Sequence, residues 1–460
     1  MPLFNCDTAG CGKGAVRNKS CLLCRRHLCA QHLQPDHHRC PDWQNDSEVE
    51  AWEHANACAT HDEVNSLVAA INVGALECTA SLLRAGVHCT AVVPAYSPDT
   101  VHEVMGGMNF HITLRFSDGV EWICRIRRNN ASSPPQEVQN AILLSEVATL
   151  KFLASTKVPV PAVHGYATFG DGNPVGVGYI LMDKLKGRPL DLDSANEEQK
   201  YRFMVQFVDI FVELAAHPFP AIGSLTLSPS AAGGASIGPI VAESAIRTIG
   251  DKIVFGGPFT TAEDYRRHAL ELVLELIRQE ELYVDTPLDA YLIHRFLLDQ
   301  MSLIVSADSV GGTAGFYLRH MDDKGDHVLV DDDFNIVGII DWERAQTVPK
   351  AEAFAAPLFM LDVGAYYSGN NDPSDIERLL VEALETKEHT EVATLVRSGR
   401  IQHRLAHCIN GAIDDPSFAD IFEALIRLLC EDEVGHWEAW RAGALTRATN
   451  SLISRTSQVV

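Results

Sequence analysis

The run FYLRHMDDKGDHVLVDDDFNIVGIIDWERA, residues 316–345, decides how this chain reads. It carries His320, Asp322 and Asp341, with apolar strand-like residues between them. Phosphoryl transfer from ATP needs one carboxylate to orient or deprotonate the acceptor hydroxyl, and a second to hold the magnesium that bridges the phosphates. Asp322 and Asp341 suit those roles, with His320 bracing the loop, all within one expected hairpin. Two acidic turns bounding an ordinary hairpin would account for Asp331, Asp332 and Asp333, but not for Asp341 standing directly after the apolar IVGII.

Upstream, NFHITLRFSDGVEWICRIRR at 109–128 reads as two strands with Asp118-Gly119 at the turn, and Ile112, Leu114 and Phe116 alternate in the first. Gly106, Gly107 and Asn109 precede that strand, where backbone amides could approach ATP phosphates; an ordinary turn is the alternative. Arg125 lies in the second strand, and the helical pattern VQNAILLSEVATLKFLAS that follows contains Glu146. In kinase-like folds a strand cation paired with a helix carboxylate positions the α- and β-phosphates of the nucleotide, and Arg127 is the rival cation; taken without the downstream motif, both are ordinary surface charges. The apolar run ending in Leu181, Met182 and Asp183 reads as a hinge whose backbone would hold adenine, or as a simple edge-strand exit. From NEEQKYRFMVQFVDIFVELAA onward the spacing is mainly helical, interrupted by a Gly- and Ser-rich loop at 225–239 that either covers a cleft or only connects.

These stretches together resemble the aminoglycoside phosphotransferase-like family, particularly its large fungal set: NFHITLRFSDGVEWICRI, SEVATLKFL, VPVPAVHGY, YILMDKLKG and GIIDWERA all follow its pattern. The resemblance implies an α+β, bilobal protein-kinase-like fold, with a small β-rich N-lobe at 96–187 and a large helical C-lobe at 188–460. It also implies transfer of the ATP γ-phosphate to a hydroxyl of a small molecule, and leaves the acceptor open. One departure stands out. The family pattern H-x-D-x-x-x-x-N places Asn where this chain has His327, and imidazole is a softer metal ligand than an amide oxygen, so manganese stands beside magnesium as the expected metal. Asp323 and Lys324 replace the apolar and His residues common after the base, and Arg125 replaces the Lys of protein kinases.

At the other end, Cys6, Cys11, Cys21, Cys24, Cys29, His32, His38 and Cys40 are spaced C-x4-C-x9-C-x2-C-x4-C-x2-H-x5-H-x-C. Eight such ligands make two closed tetrahedral zinc sites of structural type. Residues 1–45 have too few large apolar side chains to fold on burial alone, so two zincs would supply their stability. The spacing resembles the AN1-type zinc finger, which implies that Cys6, Cys11, Cys29 and His32 bind one zinc and Cys21, Cys24, His38 and Cys40 the other, with His37 as a substitute for His38. Between Cys11 and Cys21 the polar GKGAVRNKS replaces the aromatic-rich run common in such fingers. Residues 46–95 read as a connector, an acidic exposed joint followed by a helix over Glu63 to Arg84.

The chain has 460 residues, enough for two or three domains. Its 37 basic and 61 acidic residues give a net charge of −24, which argues against nucleic acid as a partner. No apolar stretch approaches the roughly 20 residues that span a bilayer, so no membrane is expected and the cytoplasm is the expected location, with the nucleus open as well. The six cysteines outside the finger read as small buried hydrophobes. Two functions compete. One is a small-molecule kinase with a zinc-dependent recognition module. The other is a catalytically impaired adaptor that binds a protein through its finger, motivated by His327. A protein kinase ranks below both, because no D-F-G or A-P-E signature bounds an activation segment.

Overall fold

The computed structural model describes residues 2–94, 96–97, 105–170, 172–228, 235–312, 315–430 and 436–456. It divides into two compact units: Met1–Leu190, Ser224–Phe255 and Asp326–Ala345 form the first, and Asp191–Gly223, Gly256–Gly325 and Gln346–Val460 the second. The first unit therefore takes two segments, 224–255 and 326–345, from the range that the sequence reads as helical lobe.

The first unit is built on a five-stranded antiparallel sheet, β1 (Cys89–Val92), β2 (Asn109–Phe116), β3 (Glu121–Arg127), β4 (Val163–Ala167) and β5 (Tyr179–Asp183), in the order β1-β2-β3-β5-β4. Gly119, at φ +85°, makes the turn between β2 and β3 in a conformation that an L side chain resists. Because side chains alternate across a strand, the two faces of this hairpin separate by chemistry. Phe110, Ile112 and Leu114 pair across from Ile126, Cys124 and Trp122, all buried, and pack with Val64, Leu67, Leu76 and Ala80. The other face places Asn109 opposite Arg127 and His111 opposite Arg125.

The four apolar residues from outside the sheet lie on α1 (Val49–Ala70) and α2 (Val73–Leu83), where the sequence suggested one helix beginning at Glu63. Asn72 explains the break: its side chain accepts the Ala75 backbone N–H and caps a new helix. Of the acidic stretch expected as an exposed joint, residues 42–47 are exposed turns, while its end from Val49 onward supplies the first turns of α1. Among the described residues no single helix is long and apolar enough to cross a membrane; α1 and α2 pass that test only as a pair bent by 60°. Val64, Leu67, Leu76 and Ala80 are turned into this core, whereas Leu82 and Leu83 at the end of α2 are exposed.

α3 (Gln136–Leu153) carries Glu146. The expected loop at 225–239 contains a strand pair, Leu225–Leu227 with Ala235–Ile237, and its residues 229–234 lie outside the described part. A second pair, Ile246–Ile249 with Lys252–Phe255, follows it. The run 316–345 is not one hairpin. Val328–Val330 pairs with Ile336–Ile339 in the first unit, whereas Phe316–Arg319 pairs with Gln346–Pro349 in the second. The Asp331 carboxylate accepts the backbone N–H groups of Asp333 (3.0 Å) and Asn335 (2.8 Å), which makes the acidic triplet a turn device. Of the cysteines outside the finger, Cys89, Cys124 and Cys408 are buried as expected, but Cys58 and Cys78 are exposed.

The second unit is mainly helical, with helices at Glu197–Ala215, Ala262–Arg278, Pro287–Asp299, Asp375–Thr386, Arg400–Asn410 and Phe418–Leu429 among others. Asn196 with Gln199, and Ser374 with Glu377, close capping boxes at two of them. Leu270, Ile293, Leu297, Leu405, Phe422 and Leu425 lie in its main core. His403 is buried beside Arg400, with Nε2 2.7 Å from the Ala356 carbonyl and Nδ1 3.5 Å from the Arg400 guanidinium. The ring fits as a neutral tautomer that donates from Nε2 and accepts at Nδ1. Burial, with Arg319 and Arg400 adding to it, pushes its pKa down to about 3. A histidine depressed in the folded state stabilises above its ordinary pKa, and that contribution is lost as pH falls from about 6.5 toward 3. Urea unfolding at pH 7 and pH 5 should therefore show a smaller pH loss for His403→Gln, which keeps a donor and an acceptor without a titrating ring. The difference should approach about 1.4 kcal/mol per pH unit, and equal losses would reject the assignment.

Candidate functional site

The polar face of β3 meets α3 at Arg125. This buried guanidinium is ion-paired through Nη1 to Glu146 and through Nη2 to Asp341, and its Nη2 also lies 3.2 Å from Glu343 Oε2. Burial works against its charge, but Glu146, Asp341 and Glu343 outweigh that and hold its pKa above the ordinary arginine range. Arg127, the rival cation, pairs at 3.2 Å with Glu343 instead. Asn109 Nδ2 donates to the same Glu343 oxygen at 3.0 Å. Burial pushes Glu146 up to about 8, with Arg125 opposing the shift and Glu343 and Asp341 adding to it. Opposite Arg125 in register, His111 is pushed down to about 4 by burial and by that cation.

Three carboxylates thus converge on one guanidinium, and Asp341, at 45% side-chain exposure, is the one that reaches solvent. Asp341 adopts φ +64°, a left-handed conformation that Asp tolerates better than bulky residues and that often accompanies function. The turn presenting it is closed by Trp342, whose indole N–H donates to the Ile339 carbonyl at 3.1 Å. His327 is buried, and its carbonyl accepts the N–H of Ile340, the residue before Asp341, at 2.9 Å. An exposed carboxylate oxygen suits magnesium or manganese.

The remaining nucleotide-site candidates also lie in the first unit. Arg128 Nη1 donates to the carbonyls of Gly106 (3.0 Å) and Gly107 (3.1 Å), which fixes that turn, while a Cβ at Gly107 would meet open space. The fold itself does not demand glycine there. Met182 is buried within β5, which β3 and β4 flank, so this strand is interior and not an edge. The Asp183 N–H already donates to the Ala162 carbonyl at 3.1 Å, and its carboxylate bonds His164 Nε2 at 2.7 Å.

In the second unit, His320 is buried and the two adjacent aspartates part company. Asp323 is buried, paired with Arg319 at 3.3 Å, and its carbonyl accepts the Phe359 N–H. Asp322 has 45% of its side chain exposed and lies 2.8 Å from Lys324 Nζ. Of the two, Asp322 is the one whose carboxylate reaches solvent. Sequence reasoning missed Glu343 and His111; a second carboxylate two residues after Asp341 was the available signal for the first.

The finger gathers its eight ligands into two groups, Cys6, Cys11, Cys29 and His32, and Cys21, Cys24, His38 and Cys40, with donor atoms in each within 4.8 Å of one another. Zinc–sulfur bonds of about 2.3 Å give tetrahedral edges of about 3.8 Å. The Cys11–Cys29 sulfurs are 3.7 Å apart and the Cys21–Cys40 sulfurs 3.6 Å. His32 Nδ1 lies 3.4 Å from Cys6 Sγ, and His38 Nε2 lies 3.4 Å from Cys24 Sγ. The geometry fits two tetrahedral ions.

The chain belongs to the phosphotransferase enzyme family (APH), whose model matches residues 106–355. Its fold is accordingly α+β and protein-kinase-like. A subtelomeric hrmA-associated cluster protein of Aspergillus fumigatus is 37% identical over 134 residues, 28% of this chain and 25% of that protein. The chain thus spans about a quarter of that relative's length. The clavilactone A biosynthesis cluster protein Y of Ampulloclitocybe clavipes is 23% identical over 275 residues, 58% of this chain and 64% of that protein. Among solved structures, the GDP complex of aminoglycoside 2'-phosphotransferase-IIIa is 15% identical, covering 71% of this chain and 91% of that one at a TM-score of 0.40. Macrolide 2'-phosphotransferase MphH of Brachybacterium faecium is 16% identical, covering 78% and 99% at a TM-score of 0.38.

Proposed function

We propose that this chain transfers the γ-phosphoryl group of ATP to a hydroxyl of a small molecule, as a fungal-type member of its family. The observation that carries the reading is Arg125 bound at once to Glu146 on α3 and to Asp341. Glu146 aims the guanidinium, which would grip the α- and β-phosphates. Gly106, Gly107 and Asn109 would approach the phosphates from the turn before β2, and Met182 and Asp183 would border the adenine. Asp341, with the His327 carbonyl bonded to the preceding Ile340 N–H, would hold magnesium or manganese, which when bound would neutralise charge on the phosphates. Asp322 takes the proton from the acceptor hydroxyl as its oxygen bonds phosphorus and the bridging bond to ADP breaks. His320 braces that loop.

The finger is read as an AN1-type module with two structural zincs and a surface for a protein partner. A second reading, an impaired adaptor, is favoured by His327 in place of Asn and by Lys324 sitting on Asp322. Calorimetry with ATP separates the two. Binding that requires magnesium or manganese and is lost in Asp341→Ala supports phosphotransfer, with His327→Asn moving the preference toward magnesium. Absence of binding with either metal would reject phosphotransfer and leave the adaptor.

A further inference from the structure

Between Cys11 and Cys21 the finger has no metal ligand and no aromatic residue, yet Ala15, Val16 and Arg17 there are all buried. Arg17 is held by the segment 224–255: its Nη1 donates to the Ile246 carbonyl at 2.8 Å in a buried bond. Ile246 belongs to an apolar cluster with Val241, Val138 and Ile142, and Leu3 of the finger packs against the same cluster. Val138 and Ile142 lie on α3 one turn apart, and Glu146 is the next step of four on that face. Pro135 begins α3 without a side-chain cap, so the start of this helix depends on tertiary packing. A second thread runs through Glu243, three residues before Ile246. Burial raises its pKa while Arg344, Arg127 and Arg17 oppose the rise, so a finger cation and a cation of the Glu343 cluster act on one carboxylate.

We propose that the finger is a zinc-dependent brace for α3: through Arg17 and Leu3 it seats the segment around Val241 and Ile246 on Val138 and Ile142, and so fixes Glu146 beneath Arg125. Arg17 is a positioning residue, which acts through the Ile246 segment, α3 and Glu146 on Arg125. The consequence for ATP binding rests on the phosphotransfer reading; the brace does not.

Amide hydrogen exchange on the full chain decides the matter, comparing the zinc-loaded protein, the chelated protein, Arg17→Ala and Arg17→Lys. The amides of 138–146 should exchange about tenfold faster in Arg17→Ala and after chelation, as expected for loss of one buried charged hydrogen bond. Arg17→Lys, which keeps a donor for the Ile246 carbonyl, should restore protection. The helix Phe418–Leu429 of the other unit should be unchanged, and Arg17→Ala should still hold two zincs. If Arg17→Ala unfolds the whole chain, Leu3→Ala is read in its place. Unchanged exchange at 138–146 in both the variant and the chelated protein overturns the brace. ATP affinity is recorded alongside: a zinc-loaded chain that binds no nucleotide defeats the phosphotransfer reading, while the exchange data still decide the brace.

Discussion

Asp322→Ala should lower phosphoryl transfer by about 10²- to 10⁴-fold, the usual contribution of a positioned general base, and should leave metal-dependent ATP binding intact. Asp322→Asn should fall as far, because it keeps the shape and loses the proton acceptor. The two adjacent aspartates provide an internal control. Asp323 is buried on Arg319 and holds the Phe359 N–H, so Asp323→Asn should cost stability and little turnover per folded molecule. Asp322, exposed and paired only laterally with Lys324 at 2.8 Å, should show the reverse. Steady-state ADP release with an active acceptor, beside ATP calorimetry for each variant, separates the two outcomes. Equal turnover in Asp322→Ala and the unaltered chain would remove Asp322 from the chemistry.

The parts of this site that could be read from sequence are those set by local periodicity. Alternation in 109–116 and 121–127 gives the β2–β3 hairpin and puts Arg125 on its polar face, and helical spacing in 136–153 puts Glu146 on a helix. Glu343 was illegible for the opposite reason: its partners Asn109 and Arg127 lie 234 and 216 residues away, and only the tertiary fold brings them together. The hairpin expected over 316–345 failed likewise, because strands of three or four residues do not declare their partners, and Phe316–Arg319 chose Gln346–Pro349 beyond the run. The break in the connector helix was missed because Asn72 sits within an unbroken apolar rhythm. There the side chain overrules the pattern by capping a second helix.

Removing metal should unfold residues 2–45 while the sheet of the first unit remains. Among the described residues this segment holds no helix and no strand longer than isolated bridges, Asn5 with Gly14 and Cys21 with Arg26. Its apolar cluster is Cys6, Leu28 and Cys29, packed with Cys11 and Leu33. Three members of that cluster, Cys6, Cys11 and Cys29, belong to one four-ligand group, so an ion bound there would sit within the core itself. Without zinc, sulfurs 3.6–3.7 Å apart would lose the cation that holds them together. Structural zinc in such small modules supplies about 10–16 kcal/mol of apparent binding free energy at neutral pH, far above what two leucines contribute by burial, about 1.5–3 kcal/mol each. Metal analysis should give two zincs per chain. Cys29→Ser and Cys40→Ser, one from each group, should each lose the ion of their own site. Limited proteolysis of the chelated protein should cut within 2–45 at a concentration that leaves the loaded protein whole. A finger that stays resistant without metal, or a chain that holds a single zinc, would mean that the two four-ligand groups are not independent structural sites.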